Sequence, residues 1–580
     1  MKRTAFNSKI LGILFLCCLS VSCDSSFLNI KPNGSLDASV LGTEEGIETL
    51  VIGVYSLLDG VSANGFGWES ASSNWVFGSI RSLIANKGSD AGDQSDINPL
   101  ISYTEVATNS FLNIKWRSLY DGVARSNSAI NVVLNAEEDG NITSEIAESN
   151  INQLRLLRGH FHLEAYKLWG EKIPYLDENT DPITVGNPGG VEDQIIADLQ
   201  AGTQLPNDMG QVGRFNGTVA RVLLAKGLMQ MKGDYTAANE QLQWVIDNGT
   251  KPDGSPIGLQ EKYGDIFEVA NRNGLESIYT VQYSVNDGSG GWNGGWGEVL
   301  NFPYKPSESP GGCCGFFQPN EEFVNSFRTS NGLPLLDKSY NNDPVLTDQG
   351  LIPSDDSYVE DVGPLDPRLD WTVGRRGIPY LDWGDHTGQD WIRDQSYAGP
   401  FSPKKQVYQK AEEGSATEVG NWTSGWTANG YRMIRYADVL LLKAECEVEN
   451  GNLEAARSWV NQVRQRAANP DGFVKEEDGV TDAANYVIET YDEAWTDASL
   501  AMEAVMMERK LELGMEGHRF FDLKRRGSSY TENEINRILA LQRDLRPSMY
   551  FSADYSSNDF HYPIPQRQID LSNGNLTQNR

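Results

Sequence analysis

Apolar residues first fall into helical register just past position 43, where Thr43-Glu44-Glu45 precedes Ile47, Leu50, Val51, Val54, Leu57 and Leu58. A threonine suited to capping free N–H groups, followed by two carboxylates at the positive end of the helix dipole, predicts an amphipathic helix here. The same spacing returns over 111–170 through Trp116, Leu119, Val123, Ile130 and Val133 and the run 154–168. Between them, residues 60–110 are rich in Gly, Ser, Asn and Asp, with Trp68 and Trp75 embedded, which predicts a loop interrupting the helical region.

The pattern then repeats. Aligning Gly233-Asp234-Tyr235 with Gly451-Asn452-Leu453 superposes Leu224 on Leu442, Leu228 on Cys446, Ala238 on Ala456, Leu242 on Val460 and Val245 on Val463. Each unit reads helix, tight turn, helix, with a small Ala where two antiparallel helices approach closely, and so resembles a tetratricopeptide unit. Trp244 and Trp459 fall on the second helix of each unit, where packing is the expected role. About 218 residues separate the two units. The expected fold is therefore mainly α, a tetratricopeptide-like helix-pair scaffold with a large loop-rich insertion containing short strands.

That insertion has loop composition: Tyr283 to Phe317 holds nine Gly together with Trp292, Trp296, Tyr304, Phe316 and Phe317, and 363–410 adds Trp371, Trp383 and Trp391. Flat side chains on Gly-rich, Pro-bounded loops suit a binding surface better than a core, because loops run over the outside of a protein. About half of these tryptophans are expected to fill a small core belonging to the insertion itself.

Length and charge then narrow the function. A chain of 580 residues exceeds what one hydrophobic core usually serves. With 48 basic against 80 acidic residues its formal charge is −32, a field that repels phosphates and excludes nucleic acid as a partner. Lys2, Arg3 and Lys9 precede the apolar run Ile10 to Leu19, too short to span a bilayer, which is the pattern of an export signal. The run ends in Leu19-Ser20-Val21-Ser22-Cys23, like a bacterial lipoprotein cleavage site, although Ser20 stands where an aliphatic residue is usual. Cys23 is therefore expected to carry the lipid anchor, and removal of 1–22 leaves 45 basic against 80 acidic residues, a charge of −35.

Of the remaining cysteines, Cys313, Cys314 and Cys446, none forms a CxxC, and the five His are dispersed without an i, i+4 pair, so no zinc site is expected. No Gly-Lys dipeptide marks a P-loop and no Gly-x-Ser-x-Gly marks a nucleophile elbow. No catalytic residue and no cofactor is assigned; a structural calcium ion is not readable from the sequence.

Four stretches together resemble the SusD/RagB family of surface lipoproteins. They are Phe27-Leu28-Asn29-Ile30-Lys31-Pro32; Asn86-Lys87-Gly88-Ser89-Asp90; Tyr431-Arg432-Met433-Ile434-Arg435-Tyr436-Ala437-Asp438 running on to Glu445; and Glu508 to Leu513 with Glu516-Gly517-His518-Arg519-Phe520-Phe521-Asp522, followed by Tyr562-Pro563-Ile564-Pro565 and Asn575 to Asn579. The resemblance implies a scaffold of tetratricopeptide-like pairs and a loop-rich glycan-binding face without enzymatic activity. It also implies a partner, a SusC-like TonB-dependent outer-membrane transporter, and an outer-membrane location, lipid-anchored and facing the cell exterior. The alternative role is a lid or assembly subunit of that transporter that binds no glycan. The implied organisation is a lipoprotein signal peptide over 1–22, a lipidated tether over 23–42 and an N-terminal helical part over 43–250, with a first glycan loop at 60–110. A loop-rich insertion forming the ligand face follows over 251–430, and a C-terminal helical part over 431–580 packs on the N-terminal part.

A sugar ring presents an apolar face and a rim of hydroxyls, so its receptor needs aromatics to stack on and charged or amide side chains beside them. The candidates are Trp75, Arg81, Asn86 and Asp90 in the first loop, and Trp292 and Trp296 in the insertion. The locally charge-balanced stretch Asp366 to Lys410 adds Arg368, Arg375 and Arg376 as bidentate donors to hydroxyls or a uronate, with a salt bridge inside the Asp366-Pro367-Arg368 turn as the competing role for Arg368. Adjacent Cys313 and Cys314 on an exported protein are expected to form a vicinal disulfide against the ligand, and a subset of the family resembles this sequence in having Gly-Cys-Cys just before a helix like that at Pro319 to Val324. Two free thiols, or a bond to Cys446, are the alternatives; Cys446 replaces an apolar Leu of the other repeat and so belongs in the core.

Overall fold

The computed structural model describes residues 38–62, 67–306, 308–352 and 357–580. Cys23, the signal and the tether up to residue 37 lie outside the described residues. The longer helices are α1 (Glu44–Tyr55), α2 (Ser110–Glu138), α3 (Ser144–Trp169), α4 (Glu192–Ala201), α5 (Gly217–Gly227), α6 (Tyr235–Asn248), α7 (Tyr436–Glu449), α8 (Leu453–Ala467), α9 (Ala498–Leu513), α10 (Arg519–Arg525) and α11 (Ser528–Leu545). Their starts follow local chemistry. Thr43 accepts from the Gly46 N–H at α1, Asn109 from Phe111 at α2, Thr143 from Ile146 at α3 and Asn216 from Val219 at α5.

Helices α2 and α3 form a long antiparallel pair that approaches closely where Gly122 meets Phe161; a Cβ at Gly122 would lie 2.4 Å from that ring. Each following helix packs on the one before, α3 on α4, α4 on α5, α5 on α6, and then α6 directly on α7 and α7 on α8. The two sequence repeats are thus neighbours in space although far apart in the chain. Thr236 of α6 donates to Asn450 beyond α7 at 2.9 Å, Asn239 donates to Glu447 at 3.2 Å, and Cys446 Sγ lies 3.7 Å from Met229 Sδ. The aligned Ala238 and Ala456, Leu242 and Val460, and Val245 and Val463 are all fully buried, so the repeat records a shared packing surface. Trp244 and Trp459 are half-buried, and Arg221 lies over the Trp244 ring at 4.1 Å.

Two short sheets tie the long insertion to this scaffold. Strand β2 (Ser277–Val281) pairs antiparallel with β4 (Tyr431–Arg435), Tyr431 opposite Val281 and Arg435 opposite Ser277, so the chain leaves for the loops and returns at one place. Strand β1 (Ala85–Gly88) pairs antiparallel with β3 (Phe316–Pro319), Asn86 opposite Gln318, which docks the first loop region onto the insertion. A satellite core of Val269, Phe302, Tyr380, Trp391, Val407 and Tyr408 fills the insertion.

At the junction of β4, α8, α9 and the insertion lies a buried ionic cluster. Arg435 reaches Glu276 at 2.7 Å, Glu512 at 2.6 Å and Glu516 at 2.8 Å, and Arg466 bridges Glu276 and Glu512. Arg368 contacts Asp366 at 2.7 Å, Glu508 at 2.6 Å and Glu512 at 3.0 Å; Arg464 contacts Glu508 at 2.9 Å, and Lys405 contacts Glu516 at 2.7 Å. Five cations thus face five carboxylates, all withdrawn from water, and the charges balance. Glu508, Glu512 and Glu516 recur every four residues, which puts the first two on one face of α9 and the third just past its end.

Desolvation alone would raise the Glu516 carboxyl, yet the Arg435 guanidinium and the Lys405 ammonium hold it down at about 2, and Glu512 is likewise held well below the usual carboxylate range by Arg466 and Arg435. Carboxyls depressed in the folded state contribute stability above their unfolded values of about 4.3, and that stability is lost as pH falls toward 2. Glu512→Gln leaves Arg435, Arg466 and Arg368 short of a counter-charge, so urea denaturation at neutral pH is expected to show a loss of about 3–5 kcal/mol. The variant's melting temperature should also fall less steeply than the parent's between pH 4 and 2; equal slopes would mean the cluster does not carry the acid sensitivity.

Candidate functional site

Several Gly-rich segments meet on one side of the insertion and stack five tryptophans. Trp292 lies parallel to Trp296, with centroids 4.7 Å apart and planes at 20°, and Trp296 continues onto Trp68 at 6.0 Å and 29°. Trp426 leans against Trp296 at 5.5 Å, and Trp422 meets Trp426 edge-on at 5.3 Å and 80°. Trp68, Trp296 and Trp426 are buried and rooted in the main core, whereas Trp292 is 54% and Trp422 43% exposed. The inner rings hold the outer two in place, so two indole faces are displayed with little conformational freedom left to lose on binding. The Trp296 indole N–H donates to the Gly291 carbonyl at 2.8 Å, and that of Trp68 to Gln94 at 3.3 Å.

The glycine content follows from this packing. Gly420 passes so near the Trp426 ring that a Cβ there would lie 1.7 Å from it, and a Cβ on Gly291, at φ +85°, would lie 3.0 Å from the same ring. Beside the platform, Cys313 and Cys314 are joined by a disulfide. The turn that carries them is fixed to the Trp422 segment. The Gly311 carbonyl accepts from the Thr423 hydroxyl at 2.9 Å and the Ser424 N–H at 3.2 Å, and the Gly311 N–H donates to the Tyr408 hydroxyl at 3.0 Å. Cys446 is free and buried.

Two ionisable groups at the base of the platform are perturbed. Glu298, buried, accepts from the Tyr283 hydroxyl at 3.2 Å and is pushed up to about 6, chiefly by burial. Asp59, in the turn packed against Ser70 and Ser72, is pushed up to about 7, first by burial and further by the nearby Glu298 charge. An acid whose folded value is raised favours the protonated protein, so stability is lost as pH rises from about 4 through 7. Glu298→Gln should flatten this alkaline-side decline in melting temperature between pH 5 and 8; an unchanged slope would place the effect elsewhere.

Several residues expected at the ligand lie instead in the interior. Trp75 is fully buried, its N–H donating to the Gly297 carbonyl at 2.9 Å and its ring against Phe316 and Phe317. Arg81 is sealed against Glu105 at 2.8 Å, with its guanidinium over Tyr103 and Tyr562. Asn86, inside the β1–β3 pair, donates to the Ala398 carbonyl at 3.0 Å and accepts from the Tyr550 hydroxyl. The segment looks like a surface loop in sequence, but β3 and the C-terminal segment around Tyr562 cover it. Arg368 belongs to the ionic cluster, and Arg375 is buried on Asp370 at 2.7 Å, so neither is available to a sugar.

Asp90 does reach the surface, where backbone N–H groups of Asp93 and Gly92 hold its carboxyl below the usual range and Arg393 pairs with it at 2.8 Å. Half-buried Arg376 lies 4.9 Å over the Tyr358 ring. Sequence reasoning missed Trp422 and Trp426, although they stand in the Gly-rich stretch 414–430 and satisfy the criterion that singled out Trp292 and Trp296. Among the described residues no group of three His, Cys, Asp or Glu is arranged to hold a metal ion.

The architecture is a set of helical repeats carrying a rigid aromatic platform on inserted loops. Comparison with known proteins gives the family: the SusD family model matches residues 275–580, and the chain belongs to that family. A SusD-like protein of Bacteroides ovatus is 22% identical over 548 residues, covering 90% of this chain and 83% of its own. SusD-like protein P25 of Formosa agariphila is 22% identical and covers 97% of both chains. Among solved structures, a SusD superfamily protein from Bacteroides vulgatus aligns with a TM-score of 0.66 at 19% identity, covering 93% of this chain and 98% of the other. Surface glycan-binding protein A from Bacteroides thetaiotaomicron, in complex with laminarihexaose, aligns at 0.61 and 20% identity, covering 93% and 99%.

Proposed function

We propose that this protein is a non-enzymatic, cell-surface glycan-binding lipoprotein that captures oligosaccharides or polysaccharides and delivers them to a SusC-like TonB-dependent transporter. The observation that carries the reading is the pair of exposed indole faces, Trp292 and Trp422, braced from behind by Trp296, Trp426 and Trp68. A stacked, pre-organised aromatic surface suits the apolar faces of successive sugar rings, and the amide and hydroxyl groups of Asn293, Asn421 and Ser424 stand near in the chain for the hydroxyl rim. The disulfide turn of Cys313 and Cys314 adds a rigid wall beside Trp422.

Affinity electrophoresis and calorimetry against a polysaccharide panel test the reading. Trp292→Ala and Trp422→Ala are each expected to weaken binding about threefold to tenfold, the worth of one stacking contact, with the melting temperature nearly unchanged. Trp75→Ala serves as the contrast and should lose about 3–5 kcal/mol of folding stability instead. If the parent protein retards on no polysaccharide, or if the outer tryptophans affect only stability, the platform is not a glycan site.

Attachment follows from Cys23 in this reading, with the mature chain on the outer membrane and facing the cell exterior. The several acyl chains of a mature lipoprotein hold firmly, where a single chain gives only marginal binding. Cys23→Ala should therefore move the protein from the outer-membrane fraction to a soluble one. Retention of the variant in a strain that also lacks the partner transporter would overturn the anchor.

A further inference from the structure

The charge of the platform deepens this reading and rests on it. Segments 57–62, 67–75, 283–301, 311–317 and 413–430 build the platform and its flanking turn, and together they hold Asp59, Glu69, Asp287, Glu298, Glu413 and Glu418 but not one Lys or Arg. At the chain's mean density of basic residues these segments would carry about five. Their absence therefore marks this surface apart even from a chain already strongly acidic.

Three of the carboxylates are bonded within the segments that carry the rings. Asp287 is exposed and accepts from the Ser289 N–H at 2.9 Å and from Asn293, the neighbour of Trp292, at 2.8 Å; the Ser289 side chain first, then Asn293 and the Ser289 N–H, hold its carboxyl well below the usual range, so it stays ionised. Glu418 lies opposite Trp426 in a short antiparallel pair and accepts from the Asn286 N–H at 3.1 Å. Glu413 is exposed and accepts from the Ser424 hydroxyl at 2.8 Å, two residues beyond Trp422.

The cations that hydrogen-bond to these segments, among the described residues, are buried beneath them. Lys115 of α2 donates to the carbonyls of Ser70 at 3.1 Å and Ala71 at 2.9 Å. Arg432 of β4 is held by Asn429 and the Gly430 carbonyl.

We propose that the platform selects uncharged glycans and rejects sulfated or uronate-rich ones. A sulfate or carboxylate brought onto Trp292 or Trp422 meets ionised carboxylates on segments without Lys or Arg, and the flanking Lys305 and Lys410 are engaged with Asp390 and Glu308 and with the Trp383 ring, whereas neutral hydroxyls can donate to the same carboxylates. The repulsion acts across solvent-exposed distances and is screened by salt, while stacking on a ring face is not.

The test uses neutral polysaccharides, each beside its own sulfated or carboxymethylated derivative, in affinity electrophoresis and calorimetry at low and high salt. A neutral polymer is expected to bind with little salt dependence, and its charged derivative at least about tenfold more weakly at low salt, the gap closing as salt rises. Asp287→Asn, and separately Asp287→Asn with Glu413→Gln, should narrow that gap, with melting temperature recorded to show the variants are folded. Equal or tighter binding of the charged derivative, weakened by salt, overturns the selectivity and leaves glycan capture standing. Retardation by no polymer of either kind overturns both.

Discussion

Removing charge from water is expensive unless every charge is met, and this fold is organised around meeting it. The cluster of Arg368, Lys405, Arg435, Arg464 and Arg466 with Glu276, Asp366, Glu508, Glu512 and Glu516 joins four parts of the chain that share no sequence neighbourhood. Glu512 alone is reached from the insertion by Arg368, from β4 by Arg435 and from α8 by Arg466. Such a cluster tolerates no partial assembly, because one missing element leaves a buried ion unpaired. It therefore fixes how the insertion sits on the helices, and with it the direction in which the loops point.

From that junction the insertion is held at two further places, the β2–β4 stem and the β1–β3 pair. The aromatic platform grows out of the space between them. Trp68 comes from the first loop region, Trp292 and Trp296 from the segment after β2, and Trp422 and Trp426 from the segment before β4, so the platform exists only once those docking contacts have formed. Its outer rings owe their fixed position to three buried ones, and the buried ones owe theirs to the scaffold core. In the proposed reading, the acidic character of the same segments adds a condition on the ligand's charge to the condition that stacking sets on its shape.

The fold class was legible because it rests on periodicity. The repeat at 224–245 and 442–463 records one face of a helix against another, and the structure brings those faces into direct contact through α6 and α7. Membership of the family was legible in Tyr431 to Glu445 and Glu508 to Asp522, and these stretches supply Arg435, Glu508, Glu512 and Glu516 to the ionic cluster. The candidate site was legible only in part. Trp292 and Trp296 stood out as flat side chains among glycines, and both lie in the platform, one displayed and one bracing it. Trp75, Arg81, Asn86, Arg368 and Arg375 carried the same local signature of polar or aromatic residues near Gly, Asn and Asp, but lie in the interior.

Sequence by itself determined the helices, their pairing into repeats and the acidic charge, since each is a property of spacing or composition along the chain. Tertiary structure decided which polar and aromatic side chains face water. An arginine reads identically whether it waits for a ligand or, like Arg81, is sealed against Glu105, and the difference lies in a partner 24 residues away and a covering segment around Tyr562. Burial is a relation between distant parts of the chain, fixed by the strand pairs and the ionic cluster that bring them together, and no local pattern of residues contains it.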